Sequence, residues 1–153
     1  MSIASGNVLI DALGPAEREC VGTRLEEVAL ELGDSIYEAN VPVSHVHFPT
    51  CGIISMVSVS DEGTVEVGTV GREGMAGIPV LLQAEATATR AFVQVKGASL
   101  RMSAADFQRS LAESAPFARL MFRYAQALFD LVAQSVYVEV ANPFAALAGA
   151  DPR

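Results

Sequence analysis

The sequence predicts a mainly β domain with flanking helices and a long helix near its C-terminal end. Between residues 23 and 101, short apolar segments alternate with turn signals roughly every 8–12 residues, which is typical of a β-sandwich or barrel. On either side, residues 7–21 and 103–140 carry helix start and stop signals instead. The chain has 153 residues, 51% of them apolar, so it is long enough for one domain with a single core.

Seven short segments are predicted to be strands. Residues 65–69 alternate between apolar and polar or small side chains, as a strand with one buried face does. Residues 53–57 are apolar on both faces, which predicts a central strand. The predicted strands are 25–30, 35–38, 45–48, 53–59, 64–70, 90–95 and 99–102. Turns are expected between them at 33–34, 40–42, 49–52, 61–63 and 96–97.

Short helices are predicted before and after the strands. Residues 7–21 form one or two helices, with Pro15 at a first helical position, where its missing N–H has no intrahelical partner to lose. Ser103 is the expected N-cap of a later helix, and Asp106 lies in its first turn, where the positive helix end stabilises a carboxylate. We therefore assign residues 1–115 to one body of N-terminal helices and strands.

A single long helix is predicted over residues 116–140, ended by Asn142 and Pro143 and followed by a loose tail over 141–153. Along it, apolar residues recur at alternating spacings of four and three, the a/d pattern of a coiled coil. This seam comprises Phe117, Met121, Tyr124, Leu128, Leu131, Ser135 and Val138. A second stripe comprises Leu120, Phe129, Val132 and Val136. If one stripe packs on the body and the other on a partner helix, the chain is a homodimer. The alternative is a helix buried within one core.

Residues 68–94 hold the candidates for binding a small anion. Glycines at 68, 71, 74 and 77 precede a short apolar run, and Thr89 and Arg90 come just before the next strand. A glycine-rich turn that leads into a helix presents backbone N–H groups that bind phosphate. The predicted phosphate site comprises Gly71, Arg72, Glu73, Gly74, Gly77, Ile78, Thr89 and Arg90.

Six segments between residues 7 and 134 carry a resemblance to a known family. They are NVLIDAL at 7–13, LGDSIY at 32–37, VSHVHFPTCG at 43–52, IISMVSV at 53–59, GTVGREGMAGIPVLL at 68–82 and RYAQALFDLVAQ at 123–134. Together they resemble the N-terminal, cyclic nucleotide-binding-like sensor domain of the Crp/Fnr family of bacterial transcription regulators. The resemblance implies a jelly-roll β-roll, also called a double-stranded β-helix, with an effector pocket at the glycine-rich segment and a long dimerisation helix.

The resemblance also implies a change in the ligand. Members that bind cAMP carry Gly-Glu on the ribose and, later, an arginine on the cyclic phosphate, and this sequence has Ile78 and Thr89 at those places. Arg90 comes one residue late, and a shift of one residue turns a strand side chain to the opposite face. We therefore expect no cAMP binding of the usual kind. Any effector is expected to be a cyclic nucleotide held differently or another small anion.

The family continues into a helix-turn-helix domain, whereas this sequence ends with VYVEVANPFAALAGADPR, so we expect no DNA-binding domain. The net charge is −8, and residues 1–70 contain eleven acidic and two basic residues. Residues 71–153 contain seven acidic and eight basic ones and no basic stripe, so direct binding of nucleic acid is not expected. The expected partners are a second copy of the chain or a full-length paralogous regulator.

Two other groups of residues have alternative interpretations. His45, His47 and Cys51 could ligate Zn or Fe, but no fourth ligand is evident, so we predict ordinary strand residues and no metal. Cys20 and Cys51 are predicted to be free thiols, buried or idle, because two cysteines cannot hold an iron–sulfur cluster. The acidic residues at 61–66 are predicted to be solvated hairpin charges rather than an acid–base pair.

No apolar run approaches the ~20 residues of a membrane span, and no signal peptide is evident, so we expect a cytoplasmic protein. The favoured function is effector sensing and dimerisation within a transcription regulator, without enzymatic activity. One alternative is a ligand-free interaction module whose pocket is filled by side chains such as Met75, Ile78 and Phe92. Another is a metal-dependent β-barrel enzyme that uses His45 and His47.

Overall fold

A computed structural model describes the backbone of residues 4–147 and the side chains of residues 4–134. Within these ranges, two short helices precede the strands and two longer helices follow them. The strands are β1 (Glu26–Leu30), β2 (Ser35–Tyr37), β3 (His45–Ser60), β4 (Gly63–Val70) and β5 (Thr89–Ser103). The helices are α1 (Val8–Asp11), α2 (Pro15–Gly22), α3 (Ile78–Leu81), α4 (Ala104–Glu113) and α5 (Ala115–Leu147). The predicted fold class, mainly β with flanking helices, is confirmed.

All strand pairs are antiparallel, and the order across the sheet is β1-β5-β3-β4, with β2 also paired to β5. The central position predicted for residues 53–57 is correct, because β3 lies between β5 and β4. The hairpin between β3 and β4 turns at Asp61 and Glu62, where a turn was expected. These strands form one side of the candidate site.

Two predicted turns are wrong, because residues 49–52 and 96–97 lie inside β3 and β5. These two strands pair along nearly their whole length, with register shifts around Cys51. Gly52 has a φ of 86°, and a Cβ on Gly97 would overlap the Cys51 carbonyl and lie 2.6 Å from the Gly52 nitrogen. Both strands therefore bend at one shared corner, where glycine allows the backbones to approach closely. The glycines that predict two turns mark this corner instead.

The local helix signals are largely confirmed. Pro15 occupies the start of α2. The Ser103 side chain caps α4 by accepting a hydrogen bond from the Asp106 N–H at 3.1 Å. The predicted end of the last helix is wrong, however, because α5 continues past Pro143 to Leu147. A proline removes one intrahelical hydrogen bond without preventing the helix from resuming beyond it. Of the predicted loose tail, residues 148–153 lie outside the described residues.

The predicted coiled-coil seam of α5 packs mainly on the chain's own body. Phe117 and Met121 are completely buried, and Tyr124 and Leu128 pack against the same core. These four residues of the predicted dimer interface therefore contact the chain's own core, since a heptad pattern shows that a helix face is buried but not what covers it. The homodimer itself stays a prediction. Leu131 is exposed. Two further seam residues, Ser135 and Val138, have side chains outside the described part of the chain.

Candidate ligand-binding site

The glycine turn at residues 71–74 is closed by the chain's own groups. The Gly71 N–H donates to Glu73 Oε1 at 3.0 Å, and the Gly74 N–H donates to the Gly71 carbonyl at 3.2 Å. The Tyr124 ring packs directly against Gly74, because a Cβ on Gly74 would lie 2.5 Å from Tyr124 Cζ. Glycine at 74 is thus required for close packing against α5. The Gly71 and Gly74 N–H groups, which belong to the predicted phosphate site, therefore already have acceptors within the turn.

The N-terminal segment holds this turn in place. Asn7 Nδ2 donates to the Gly74 carbonyl at 2.9 Å, and the Val8 N–H donates to the Arg72 carbonyl at 2.8 Å. The Arg72 side chain turns back toward the same segment, with Nε donating to the Gly6 carbonyl at 3.3 Å. Arg72, one of the predicted phosphate ligands, is therefore directed to backbone of its own chain.

Tyr124 joins the turn to α5. Burial raises the pKa of Tyr124 to about 12, a backbone hydrogen bond with Met75 acts in the opposite direction, and the nearby Glu73 carboxylate raises the pKa further. The phenol is therefore neutral at physiological pH. It acts as a packed polar contact between the turn and the helix.

Gly77 is also used for packing. Its φ is 123°, in the region that favours glycine, and a Cβ there would lie 3.1 Å from the Val46 side chain. It precedes α3, a helix of only four residues in which Pro79 has no N–H to offer. The predicted anion-binding helix start is therefore poorly equipped for that role.

A cavity of about 390 Å³ lies beside this turn, between the strands, α3 and α5. We call it the central cavity. Of the predicted site residues, Ile78 and Thr89 line it, and the glycines at 71, 74 and 77 are not among its lining residues. The described lining comprises Tyr37, Met56, Val67, Ile78, Pro79, Leu82, Ala84, Ala86, Thr87, Thr89, Ala125, Leu128, Phe129 and Val132.

Thr89 and Arg90 lie on opposite sides of β5. Thr89 lines the central cavity, whereas Arg90 forms an ion pair with Glu38, with Nε and Oε2 3.6 Å apart. The Arg90 guanidinium also lies over the Phe92 ring, 5.0 Å from its centroid. This placement is the one expected from a shift of one residue along a strand. No charged side chain occurs among the described residues that line the central cavity.

The alternative metal site is not supported by the geometry. No group of three or more His, Cys, Asp or Glu residues is placed to hold a metal ion within the described residues. His47 is only 5% exposed, and burial, followed by the Arg101 and His45 charges, lowers its pKa to about 4. Cys20 and Cys51 are both free and exposed, so the expectation that these thiols could be buried is wrong.

Most residues of the central cavity were not singled out from the sequence. They come from β2, β3, β4, the segment before β5, and α5, so no local motif contains them. One usable signal is the cluster of small residues at 84, 86 and 125, because small side chains leave room beside a packed wall. Ile78 and Thr89 were predicted site residues because they lie in the glycine-rich segment and occupy the ribose and phosphate places of the cAMP-binding pattern that the sequence resembles.

No protein-family model and no curated protein sequence matches the chain. Solved structures do match. A cyclic nucleotide-binding-like protein from Brucella abortus is 22% identical, with a TM-score of 0.56 over 69% of this chain and 90% of that one. The sensor domain of the transcriptional regulator DNR from Pseudomonas aeruginosa is 15% identical, with a TM-score of 0.60 over 87% of this chain and 85% of that one.

The chain has the fold of cyclic nucleotide-binding-like domains. The catabolite activator protein of Thermus thermophilus also matches, at 14% identity and a TM-score of 0.63, over 87% of this chain. This chain spans 61% of the length of that activator. At such identities the matches show the fold alone, which is the jelly-roll architecture of these domains. None of the described helices is long and apolar enough to span a membrane.

Proposed function

We propose that this chain is an effector-sensing and dimerisation domain of a Crp/Fnr-type transcription regulator, located in the cytoplasm and without enzymatic activity. The effector-sensing function is proposed from one observation: residues of the strands, of α3 and of α5 all line the central cavity. A ligand there contacts the fixed sheet and the long helix together. If α5 can adopt two positions and the ligand binds more tightly to one of them, the ligand increases the population of that position.

The ligand site does not suit cAMP held in the usual way. Ile78 has no group to bond a ribose hydroxyl, and Thr89 offers no charge to a phosphate. Arg90 is engaged with Glu38 outside the cavity. The net charge of −8 disfavours binding to DNA by this chain, so we propose that the output reaches DNA through another domain or protein.

We propose that α5 also forms a homodimer, through a face other than the predicted seam. Phe122, Gln126, Phe129 and Ala133 are all exposed and recur at spacings of four and three. We call them the outer face of α5. Phe122 and Phe129 are 50% and 67% exposed, a large apolar surface for one helix. Phe129 belongs to the second apolar stripe of the sequence prediction, so that stripe supplies part of the proposed interface.

Phe122→Glu is expected to weaken the dimer about 30-fold or more, which is the effect of losing a buried interface residue worth ~2 kcal/mol. Sedimentation equilibrium at micromolar protein measures the change. The matched control is Arg123→Glu, one residue further along and also exposed, which changes charge without removing an aromatic ring. A wild-type protein that is monomeric under these conditions contradicts the homodimer.

Ala86→Trp is expected to mimic an occupied cavity, because residue 86 lines the cavity from the loop and does not belong to α5. Amide hydrogen exchange in α5 should slow by about fivefold or more if occupancy is coupled to the helix. The control is Ala88→Trp, which is exposed nearby and is not among the lining residues. Equal exchange in both variants argues against the sensing function.

A ligand-free interaction module that pairs with a full-length regulator is the second candidate. The closed glycine turn favours it, since the Gly71 N–H donates to Glu73, the Gly74 N–H donates to the Gly71 carbonyl, and the Tyr124 ring covers Gly74. The two experiments separate the candidates. Loss of self-association in Phe122→Glu, combined with no response of α5 to Ala86→Trp, favours the interaction module over the sensor.

A further inference from the structure

We propose that the central cavity binds a small, uncharged and mostly apolar molecule that carries one hydroxyl or carbonyl group. This inference rests on the proposed sensing function, because it names the ligand class of the same cavity. It departs from the expectation of an anionic effector. Three observations support it: the lining is mostly apolar, the nearby arginine side chains make contacts outside the cavity, and the few polar groups of the lining are hydroxyls that lie close together.

The lining is apolar apart from three hydroxyl groups. Eleven of the fourteen described lining residues have no polar side-chain atom, and the other three are Tyr37, Thr87 and Thr89. A volume of about 390 Å³ lies in the range of small-molecule sites. An anion that entered would lose its hydration without gaining an opposite charge, which is strongly unfavourable. An uncharged apolar molecule meets no such penalty.

The arginines of the predicted phosphate site are engaged elsewhere. Arg90 pairs with Glu38 and covers the Phe92 ring on the other side of β5. Arg72 donates to the Gly6 carbonyl in the N-terminal segment. To reach the cavity, either side chain would have to break these contacts. Arg90 would in addition have to cross a strand.

The three hydroxyl groups form a polar corner. Thr87 Oγ1 and Thr89 Oγ1 lie 3.3 Å apart, and the Tyr37 hydroxyl lies close enough to the Thr89 side chain for Thr89 to lower the Tyr37 pKa against the effect of burial. Burial raises the pKa of Tyr37, so the phenol stays neutral. Hydroxyls both donate and accept, which suits a ligand hydroxyl or carbonyl and offers no charge to a carboxylate or phosphate.

Two apolar residues of the lining are exposed to solvent in a single copy of the chain. They are Leu82 and Phe129, which are 61% and 67% exposed. A ligand whose polar group meets the Tyr37 corner would extend its apolar part under these two side chains. Their removal from water adds to the binding free energy. The position of Phe129 also places such a ligand directly against α5.

The test is displacement of the neutral fluorescent probe N-phenyl-1-naphthylamine from the full chain at pH 7. Three competitors are compared: 4-butylphenol, its anionic counterpart 4-butylbenzoate, and cAMP. We expect the phenol to compete at least tenfold more strongly than the benzoate and cAMP. The probe should still bind the Phe122→Glu variant, because Phe122 does not line the cavity. Loss of probe binding in that variant would place the probe on the outer face of α5 and would contradict the proposal.

A charge placed in the cavity should reverse this preference. Thr89→Arg is expected to weaken competition by 4-butylphenol at least tenfold and to strengthen that by 4-butylbenzoate. Ala88→Arg is the control, since it adds the same charge one residue away, outside the lining. If Thr89→Arg fails to fold, the wild-type comparison of phenol with benzoate decides alone.

The proposal is overturned if 4-butylbenzoate or cAMP competes as well as the phenol, or if none of the three displaces the probe. Such a failure is distinct from failure of the sensing function, because the Ala86→Trp exchange experiment uses no ligand. A response of α5 to Ala86→Trp without phenol binding leaves a sensor with a different effector. Phenol binding without that response leaves an apolar site that is not coupled to α5.

Discussion

Replacing Gly97 with alanine is expected to lower the free energy of unfolding by about 3 kcal/mol or more, a large part of the total for a domain of this size. A Cβ at this position would overlap the Cys51 carbonyl and lie 2.6 Å from the Gly52 nitrogen. These are backbone atoms in the paired strand, so no side-chain rotation can relieve the overlap. Relief requires β3 and β5 to separate at their shared corner.

Urea unfolding followed by circular dichroism measures this effect. Gly22→Ala is the matched control, because Gly22 ends α2 and a Cβ there meets nothing within 4 Å. Alanine in a helix is more favourable than glycine by about 0.5–1 kcal/mol, so the control should be unchanged or slightly more stable. If Gly97→Ala has wild-type stability, the close approach of the two strands at the corner is wrong.

Asn7→Ala is expected to cost about 3 kcal/mol, since one buried amide serves three parts of the fold. Its Oδ1 accepts hydrogen bonds from the N–H groups of Leu9 and Ile10 in the first turn of α1, at 3.0 and 3.2 Å. Its Nδ2 donates to the Pro49 carbonyl at 2.8 Å and to the Gly74 carbonyl at 2.9 Å. Alanine removes the helix cap and leaves two buried carbonyls without this donor.

Asn7→Ser separates the two roles. A serine can still cap α1, but it is too short to bridge Pro49 and Gly74, so we expect about half the loss seen with alanine. Hydrogen exchange should then show faster opening of residues 71–77 in both variants, with α1 affected mainly by alanine. Equal unfolding free energies for alanine and serine would mean that the bridge contributes nothing beyond the cap.

The two positions bear on the proposed function because each lies in or next to an element beside the central cavity. Gly97 belongs to β5, the strand that also carries Thr89 in the lining and Arg90 on the far side. Asn7 holds the glycine turn, and Tyr124 joins that turn to α5. A small ligand is recognised well only when such walls are fixed before it arrives.

Features that depend on neighbouring residues were predictable from the sequence. The Ser103 cap and the start of α2 at Pro15 each depend on a few adjacent residues, and both are confirmed. The opposite orientation of Thr89 and Arg90 follows from the two-residue period of any strand and agrees with the structure. The two-faced apolar character of residues 53–57 likewise predicted a central strand correctly.

Features that depend on what lies across the fold were not predictable. A glycine such as Gly97 can mark a turn or a close approach between strands, and only the pairing of β3 with β5 selects the second. The heptad of α5 likewise shows that one face is buried, and only the tertiary structure shows that Phe117 and Met121 meet the chain's own core.

The glycine-rich segment shows the same division within the candidate site. The sequence by itself predicted that a glycine-rich segment joins two strands and that Thr89 and Arg90 face opposite ways. The displacement of the arginine by one residue was implied by the family resemblance. Only the tertiary structure decided that Glu73 and Tyr124 occupy the turn and that the open space beside it is apolar. The reason is physical: backbone conformation is set by adjacent residues, whereas the environment of a cavity is set by side chains far apart in the chain.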